Sequence, residues 1–564
     1  MSNKTLGYLA ALFAASMALL AVVGGVRAYS PIPYWDMWDG TLQFYLDTQD
    51  GHTAAWWGQH NEHRVLLSRL LFWLDYRFFG GVSVFLIVMN FVIVMGTVWV
   101  FWTVLRDTGD YGRSPESRRT LAMFVLGALF FWSQENNLTW GFQSQFFLAQ
   151  LLPLCGLVWL ARATQGSGSG CDFALACFFG VVSIGTMANG ILALPLMVLY
   201  GLLLRISWAR IAILATLSLI CLSVYFTGYV APPLHGHLSA ALRDQPIQLL
   251  IYTMGYLGSP FYYLAGKGMF GAVVAVLAGS ALTLGSAWLF VRLFRQARSA
   301  PVLLALLIFI LFIGGTALGT AGGRLIFGVQ SAIASRYTTP ALMAWLAFVV
   351  VLYFSVHHFS HVGGARRACL VLGLISVLMI GYQVRAVKLD GDKLHGKEIA
   401  ALALAMGVND KEFIGLVFPD NALPLQLARR AADRGLTVFG QFPYRSLSSQ
   451  VGNRSEEIDL PVCNGRVESV TVLPEAKDHI RVSGWVIDEK TRASPKLLKI
   501  VADSTIVGFA LAGKPRADLI GTHKGSDRVG MVGYLKWQGG NPSIKAIGVD
   551  IPCQMDLDLV VSSL

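Results

Sequence analysis

Two carboxylates three residues apart, Asp36 and Asp39, lie in the stretch PIPYWDMWDG among tryptophans and a tyrosine. Acids held against aromatic faces lose hydration, and a carboxyl with a raised pKa suits a general base. The competing reading is a solvated loop whose Trp and Tyr rings form an interfacial belt. Further along, Gln59, His60, Asn61, Glu62, His63 and Arg64 crowd the start of an apolar helical pattern. Polar groups at a helix N-terminus form a natural seat for a phosphate or a sugar. His60 and His63 could also ligate a metal, but no third ligand is fixed by spacing, so no metal site is expected. The stretch WSQENNLTWGFQSQFF sets Glu135, Asn136, Asn137, Gln143 and Gln145 beside Trp140, a mixture suited to sugars or, alternatively, to capping a loop. In GGRLIFGVQSAIASRYTTP, Arg324 and Arg336, the latter followed by Tyr337, offer guanidinium groups that pair well with phosphate. Snorkelling of these arginines to lipid headgroups is the plain alternative.

The elements that position these residues follow from composition. Of 564 residues, 55% are hydrophobic and only 14% charged, and the mean hydropathy is +0.57. A water-soluble domain is nearer half apolar and a quarter charged, so one large soluble fold is excluded. With 33 Phe, 18 Tyr and 15 Trp, disorder is excluded as well. Apolar runs of roughly 20 residues read as membrane-crossing helices. The first, Leu6 to Val26, is too long for a signal-peptide core. Further candidates cover 81–105, 120–133, 143–162, 172–188, 191–204, 211–230, 269–291, 301–318, 338–356 and 368–384. Asn189-Gly190 marks a tight break between two of them.

The net charge of +11 would suit a nucleic-acid binder if it formed a patch, but its distribution follows membrane topology instead. With the N-terminus inside, cytoplasmic loops carry Arg106, Arg113, Arg118 and Arg119, then Arg162, then Arg205 and Arg210. Later loops carry Arg292, Arg295 and Arg298, then Arg366 and Arg367. That fit requires 249–266 to be re-entrant or interfacial. The expectation is therefore a polytopic α-helical protein of about 11 spans in a bacterial inner membrane, N-terminus cytoplasmic and tail extracytoplasmic. Membrane lipids are its surroundings, and no nucleic acid is expected as a partner. The membrane domain covers 1–385, with a long first outer loop, 29–79. Within that loop, apolar positions from Val65 onward favour one face, as in a helix lying on the membrane surface.

The tail splits into a helical linker region, 386–460, and a β-rich domain, 461–564. IAALALAMGV and LPLQLARRAADRGL show helical periodicity, the second ending at Gly435. Short β-rich runs separated by turn residues then suggest a small β-sandwich. Cys155, Cys171, Cys177, Cys221 and Cys369 lie in or beside spans as small apolar fillers, whereas Cys463 and Cys553 bracket the β-domain on the oxidising side. A disulfide between those two is expected. Gly484, Trp485, Asp488, Asp503, Val507, Gly508, Pro515, Arg516 and Asp518 follow a G-W-x-x-D … P-R-x-D pattern. It resembles a module attached to many bacterial polysaccharide-assembly proteins, in which Trp485 reads as core.

An acidic first loop, a surface helix after it, about 11 spans and a late Arg336-Tyr337 resemble the GT-C glycosyltransferases. These integral membrane enzymes take polyprenyl-phosphate-linked sugars as donors. The resemblance implies a glycosyltransferase that moves a sugar, arabinofuranose or a hexose, onto a surface glycan, glycolipid or protein. Asp36 or Asp39 would be the base of an inverting displacement, with Arg336 and Arg324 on the donor phosphate and Arg64, His60 and His63 assisting. Glu62, Glu135, Trp140, Gln143 and Tyr337 complete the expected substrate-binding set. No cofactor is required, and a divalent cation is left open because the acids are not a strict Asp-x-Asp. Rival classes are an O-antigen polymerase or ligase, a lipid-linked glycan transporter and a non-catalytic glycan-binding scaffold. The first favours Arg and His in a large late loop, the second internal repeats with broken helices, and the third binding without turnover.

Overall fold

The computed structural model describes residues 3–108, 114–165, 170–233, 235–294, 300–359, 363–388, 390–456, 460–519, 528–537, 539 and 542–559. Arg113, Arg295 and Arg298 fall outside the described residues, as do the side chains of Arg366, Arg367 and Cys369. The chain forms two compact units. One comprises Met1–Arg27, Trp56–Leu71 and Phe85–Lys388; the other comprises Ala28–Ala55, Phe72–Val84 and Leu389–Leu564.

The first unit is helical. Seven of its helices among the described residues are long and apolar enough to cross a membrane. They are Lys4–Ala28, Val84–Asp107, Gly141–Arg162, Trp208–Phe226, Gly268–Phe294, Pro301–Phe327 and Ser335–Ser355. Three of the expected spans form shorter helices: Pro115–Leu129, Gly170–Val182 and Ala193–Leu204. A helix of 12 residues such as the last is about 18 Å long at 1.5 Å per residue, short of a hydrocarbon core of roughly 30 Å. Between the second and third, 3-10 turns over Ser183–Gly185 and Ala188–Leu192 form the break expected at Asn189-Gly190. A Cβ on Gly190 would lie 1.9 Å from the Ser183 carbonyl oxygen, so only glycine fits there.

The stretch 249–266 consists of two short helices, Pro246–Leu257 and Ser259–Leu264, neither long enough to cross. The chain backbone packs here directly against Gly268–Phe294. A Cβ on Gly279 would meet the Met254 carbonyl oxygen at 1.9 Å, the close approach that small residues permit between apolar helices. Gly141–Arg162, Pro301–Phe327 and Ser335–Ser355 are the interior helices, and Trp208–Phe226 and Gly268–Phe294 are peripheral.

The second unit combines helices with a sheet. Gly391–Met406 is capped by Asp390, whose carboxylate accepts from Lys393 N at 3.1 Å, and it ends at left-handed Gly407. Ala422–Asp433 follows and terminates before left-handed Gly435, as its sequence predicts. Among the described residues seven strands then form: β1 (Asn464–Val472), β2 (His479–Ile487), β3 (Leu497–Ala502), β4 (Thr505–Lys514), β5 (Gly530–Lys536), β6 (Ile544–Gly548) and β7 (Gln554–Asp556). They make one antiparallel sheet in the order β1-β2-β5-β4-β3-β6-β7, not the two sheets of the expected sandwich.

The reason lies in how the sheet covers its faces. Successive residues alternate sides, and both sides are apolar. Ile480, Val482, Leu498, Ile500, Met531 and Leu535 close on one another inside the curled sheet. Leu497, Phe509, Leu511, Val532 and Tyr534 pack against the helical region, which serves as the second layer. The sheet also joins itself at its two ends: Cys463 N donates to Gln554 O at 2.8 Å and Gln554 N to Pro461 O at 2.9 Å. The expected Cys463–Cys553 disulfide sits at that seam, with a Cα–Cα distance of 5.4 Å.

Candidate functional site

In the helical unit the polar stretch before Leu66 is a tight hairpin. His60 N donates to His63 O and His63 N to His60 O, both at 2.9 Å, with Asn61 left-handed at φ 49°. The hairpin is held by Arg64, whose guanidinium donates to the main-chain oxygens of Tyr225, Trp57 and Thr227 at 2.8, 2.6 and 2.7 Å. Burying a guanidinium requires acceptors of this kind. Each of its three nitrogens is thus engaged by the protein's own backbone, and Arg64 positions the residues around it. His60 is buried with its ring edge-on to Phe142.

The tip of this hairpin presents Glu62 to three nitrogen groups. One carboxylate oxygen lies 3.2 Å from an Arg324 terminal nitrogen and 3.5 Å from His63 Nε2; the other lies 2.9 Å from His235 Nδ1. Burial opposes the Glu62 anion, but His63, Arg324 and His235 outweigh it and hold the carboxyl down at about 2. His63 is driven the other way. Burial lowers it to about 4 against the pull of Glu62, with His60 and Arg324 adding to the shift. Its Nδ1 accepts from Ala188 N at 3.1 Å, so the neutral ring carries its proton on Nε2, toward Glu62. Burial also lowers His235, despite Glu62. Near neutral pH the cluster is one anion and one guanidinium flanked by uncharged imidazoles. Arg324 is 24% exposed and gives one nitrogen to Glu62, which leaves part of its fork accessible.

A second polar patch of the same unit joins 132–140 to 335–339. Asn137 Nδ2 donates to Arg336 O at 2.8 Å and to Thr339 Oγ1 at 2.7 Å. Ser335 Oγ donates to Ser133 O and Thr339 Oγ1 to Gln134 Oε1. Asn90, in the first third of the Val84–Asp107 helix, donates to Asn137 O and Trp140 O, both at 3.0 Å. These bonds fix the backbone on which half-buried Glu135, Trp140 and Arg336 sit. Arg336 lies 5.1 Å over the ring of Tyr337, which is buried and stacked on Tyr256. Gln143 is buried among its neighbours.

The acids belong to the other unit. Trp35 takes a left-handed φ of 49° and donates its N–H to Val417 O at 2.8 Å. A wide π-type turn over Trp38–Gln43 follows. Trp38, Leu42, Tyr45 and Leu46 turn inward and are buried, and Thr41 Oγ1 lies 3.1 Å from the hydroxyl of buried Tyr76. That anchoring leaves Asp36 and Asp39 on the half-buried side of the turn, with an oxygen of each within 4.8 Å. Nearby in the same unit, Lys397 Nζ lies 4.1 Å over the ring of Tyr34. Burial, with Lys393 beside it, lowers the Lys397 ammonium to about 8.

Two of these groups, Lys397 and His235, were not singled out by sequence. His235 follows a Pro-Pro loop, and Lys397 lies on an amphipathic helix; neither has a local signature. Arg324 and Glu62 were both expected at a substrate, but not as partners of each other. The β-module motif is structural. Asp488 accepts from Thr491 N and Thr491 Oγ1 and closes the 488–493 turn. Arg516 pairs with Glu468 and Asp518, and Trp485 is 7% exposed in a small core with Ile487 and Val529.

No protein-family model matches the chain, and no curated protein matches it. Among solved structures, the crystal structure of the Archaeoglobus fulgidus oligosaccharyltransferase in the apo form is similar at 10% sequence identity and a TM-score of 0.41. The match covers 74% of this chain, which spans about 60% of the length of that protein.

Proposed function

We propose that the protein is a GT-C-like membrane glycosyltransferase. It moves a sugar, arabinofuranose or a hexose, from a polyprenyl-phosphate donor to a surface glycan, glycolipid or protein acceptor. The observation that carries this reading is the Asp36–Asp39 pair: two carboxylates within 4.8 Å on an anchored irregular turn directly after the first apolar span.

Asp36, with Asp39 as the alternate, takes the proton of the acceptor hydroxyl. The acceptor oxygen forms its bond to the anomeric carbon as the bond from that carbon to the phosphate oxygen breaks. Polyprenyl phosphate leaves with the electron pair, and the configuration inverts. Arg336 and the accessible part of the Arg324 fork carry the donor phosphate, the pairing for which a guanidinium is suited. Glu62, His63 and His60 hold Arg324 and the hairpin in place, half-buried Glu135 and Trp140 face the sugar, and buried Gln143 and Tyr337 support the backbone around them. A divalent cation delivered with the donor would find its ligands in Asp36 and Asp39.

A positioned general base contributes roughly 10²–10⁴-fold to rate. Purified Asp36→Asn and Asp39→Asn proteins are assayed for transfer from a radiolabelled polyprenyl-phosphate sugar in detergent. One of them is expected to lose activity within that range. Wild-type transfer by both would end the Asp-base reading. Mass spectrometry of surface glycans in a deletion strain names the sugar and the acceptor together.

A further inference from the structure

Lys397 is a charged group that the proposed mechanism does not use. It stands on the helix Gly391–Met406, half-buried, with Nζ over the ring of Tyr34. No carboxylate pairs with it among the described residues. Its sequence neighbour Glu398 turns to buried His395, 3.5 Å from Nδ1, and the carboxylate of Asp390 caps Lys393 N at 3.1 Å. The charged group whose field reaches the ammonium is Lys393, a like charge one helical turn away. Burial and that repulsion both oppose the ammonium, and the ring face returns only part of what water gave it. A cation in this state is completed by an anion from outside.

Trp35 lies between Tyr34 and Asp36 in the chain. Its ring meets that of Tyr34 edge-on at 6.3 Å, and 43% of its surface is exposed. Its left-handed backbone is held by the bond to Val417 O. Strain of that kind persists where the surrounding structure enforces it, and it gathers at ligand sites.

We propose that Lys397 and Trp35 form an acceptor subsite for an acidic glycan, with the sugar ring on the indole and its carboxylate or phosphate on the ammonium. The acceptor hydroxyl must lie against Asp36 or Asp39 to give up its proton. In an inverting displacement the donor phosphate leaves from the opposite side of the anomeric carbon. An anion on the side of the acids therefore belongs to the acceptor. Tyr34 is two residues from Asp36, at most ~7 Å of chain, so one sugar unit reaches from the acids to the cation. The aromatic platform favours a glycan over an acidic peptide.

The inference rests on the reading of Asp36 and Asp39 as the base, but its first test needs no turnover. Lysines of the full-length protein in detergent are methylated with isotope-labelled formaldehyde and followed by NMR. The Lys397 signal is the one missing from Lys397→Arg. Glucuronate and glucose phosphate are titrated in, beside methyl glucoside and an aspartate-rich peptide. At least one charged sugar is expected to raise the titration midpoint of that signal by about one pH unit, because an opposite charge favours the ammonium. The stronger of the two tells carboxylate from phosphate. Trp35→Ala should weaken the charged sugars several-fold and spare inorganic phosphate, with Trp35→Phe in between. In transfer to an acidic acceptor, Lys397→Met should raise the acceptor KM about tenfold with kcat little changed, and Lys397→Arg should recover most of that loss. A midpoint unmoved by either charged sugar, an equal response to methyl glucoside, or a response to the peptide alone would overturn the proposal. Whichever of Asp36→Asn and Asp39→Asn loses transfer should keep the Lys397 response. Wild-type transfer by both with that response intact faults the base reading and leaves the anion site standing.

Discussion

Asp75 is a carboxyl kept where a carboxylate is costly, and replacing it should make the protein more stable. It is fully buried in the second unit. One oxygen accepts from Ser83 N at 3.2 Å and the other has no hydrogen-bond partner among the described residues. Burial raises its pKa from 3.8 to about 6, against a smaller opposing effect of the Ser83 N–H. The sign follows from linkage. Between 3.8 and about 6 the unfolded chain has released its proton and the folded chain has not, so stability falls as pH rises through that window and stays lower above it. A difference of about two pH units is worth ~3 kcal/mol, of which ~2 kcal/mol develops between pH 4.5 and 7.5.

Asp75→Asn keeps an acceptor for Ser83 N but sets an NH2 where an oxygen now lacks a partner, which returns about 1–2 kcal/mol. At pH 7.5 the variant should therefore gain about 1–2 kcal/mol over wild type, roughly 2–8 °C at 2–4 °C per kcal/mol for a unit of this size. At pH 4.5 the gain should vanish. Thermal unfolding of both proteins in one detergent at both pH values measures this, since every other titrating group is shared. A variant whose advantage is no larger at pH 7.5 than at 4.5 would refute the reasoning.

Two further outcomes follow. Glu62 has the opposite sign: its carboxyl is held at about 2 against 4.5, so its contribution is present above pH 4.5 and is lost as pH falls toward 2. At pH 7 the imidazoles are uncharged and Arg324 is the charged partner, so Glu62→Gln should cost about 1–2 kcal/mol, trimmed by its 25% exposure. Adding Arg324→Gln should restore part of that, and a coupling below ~0.5 kcal/mol in the double-mutant cycle would contradict the pairing. Replacing Cys463 and Cys553 by alanine removes a link between residues 90 apart, worth ~2–5 kcal/mol. Limited proteolysis of the tail should accelerate accordingly, and an unchanged cleavage rate would count against it.

Sequence revealed what depends on local pattern and missed what depends on distant pairing. Lys4–Ala28 and Pro301–Phe327 are legible because an apolar run of that length has one main use. Gly435 was legible as a helix stop because the left-handed φ favours glycine. The Cys463–Cys553 pair could be read from spacing and compartment. Nothing in PIPYWDMWDG, by contrast, announces that Trp35 N bonds Val417 O or that Trp38 packs against Phe439. Those contacts exist only once some 380 intervening residues have folded into place. The sandwich expectation erred for a related reason: alternating strands showed two apolar faces, but not that helices would cover one of them.

The same long-range contacts constrain biosynthesis. The unit holding the acids is assembled from three pieces, and about 300 residues separate its second piece, Phe72–Val84, from its third, Leu389–Leu564. At roughly 5–20 residues per second, the first two pieces exist for about 15–60 s before their partners leave the ribosome. During that interval Trp38, Leu42, Tyr45 and Tyr76 have none of the tail's apolar surface to bury against. A nascent chain stalled before residue 389 should therefore be a favoured client of chaperones that shield apolar surface. A tail expressed alone from Leu389 should lack part of its own core.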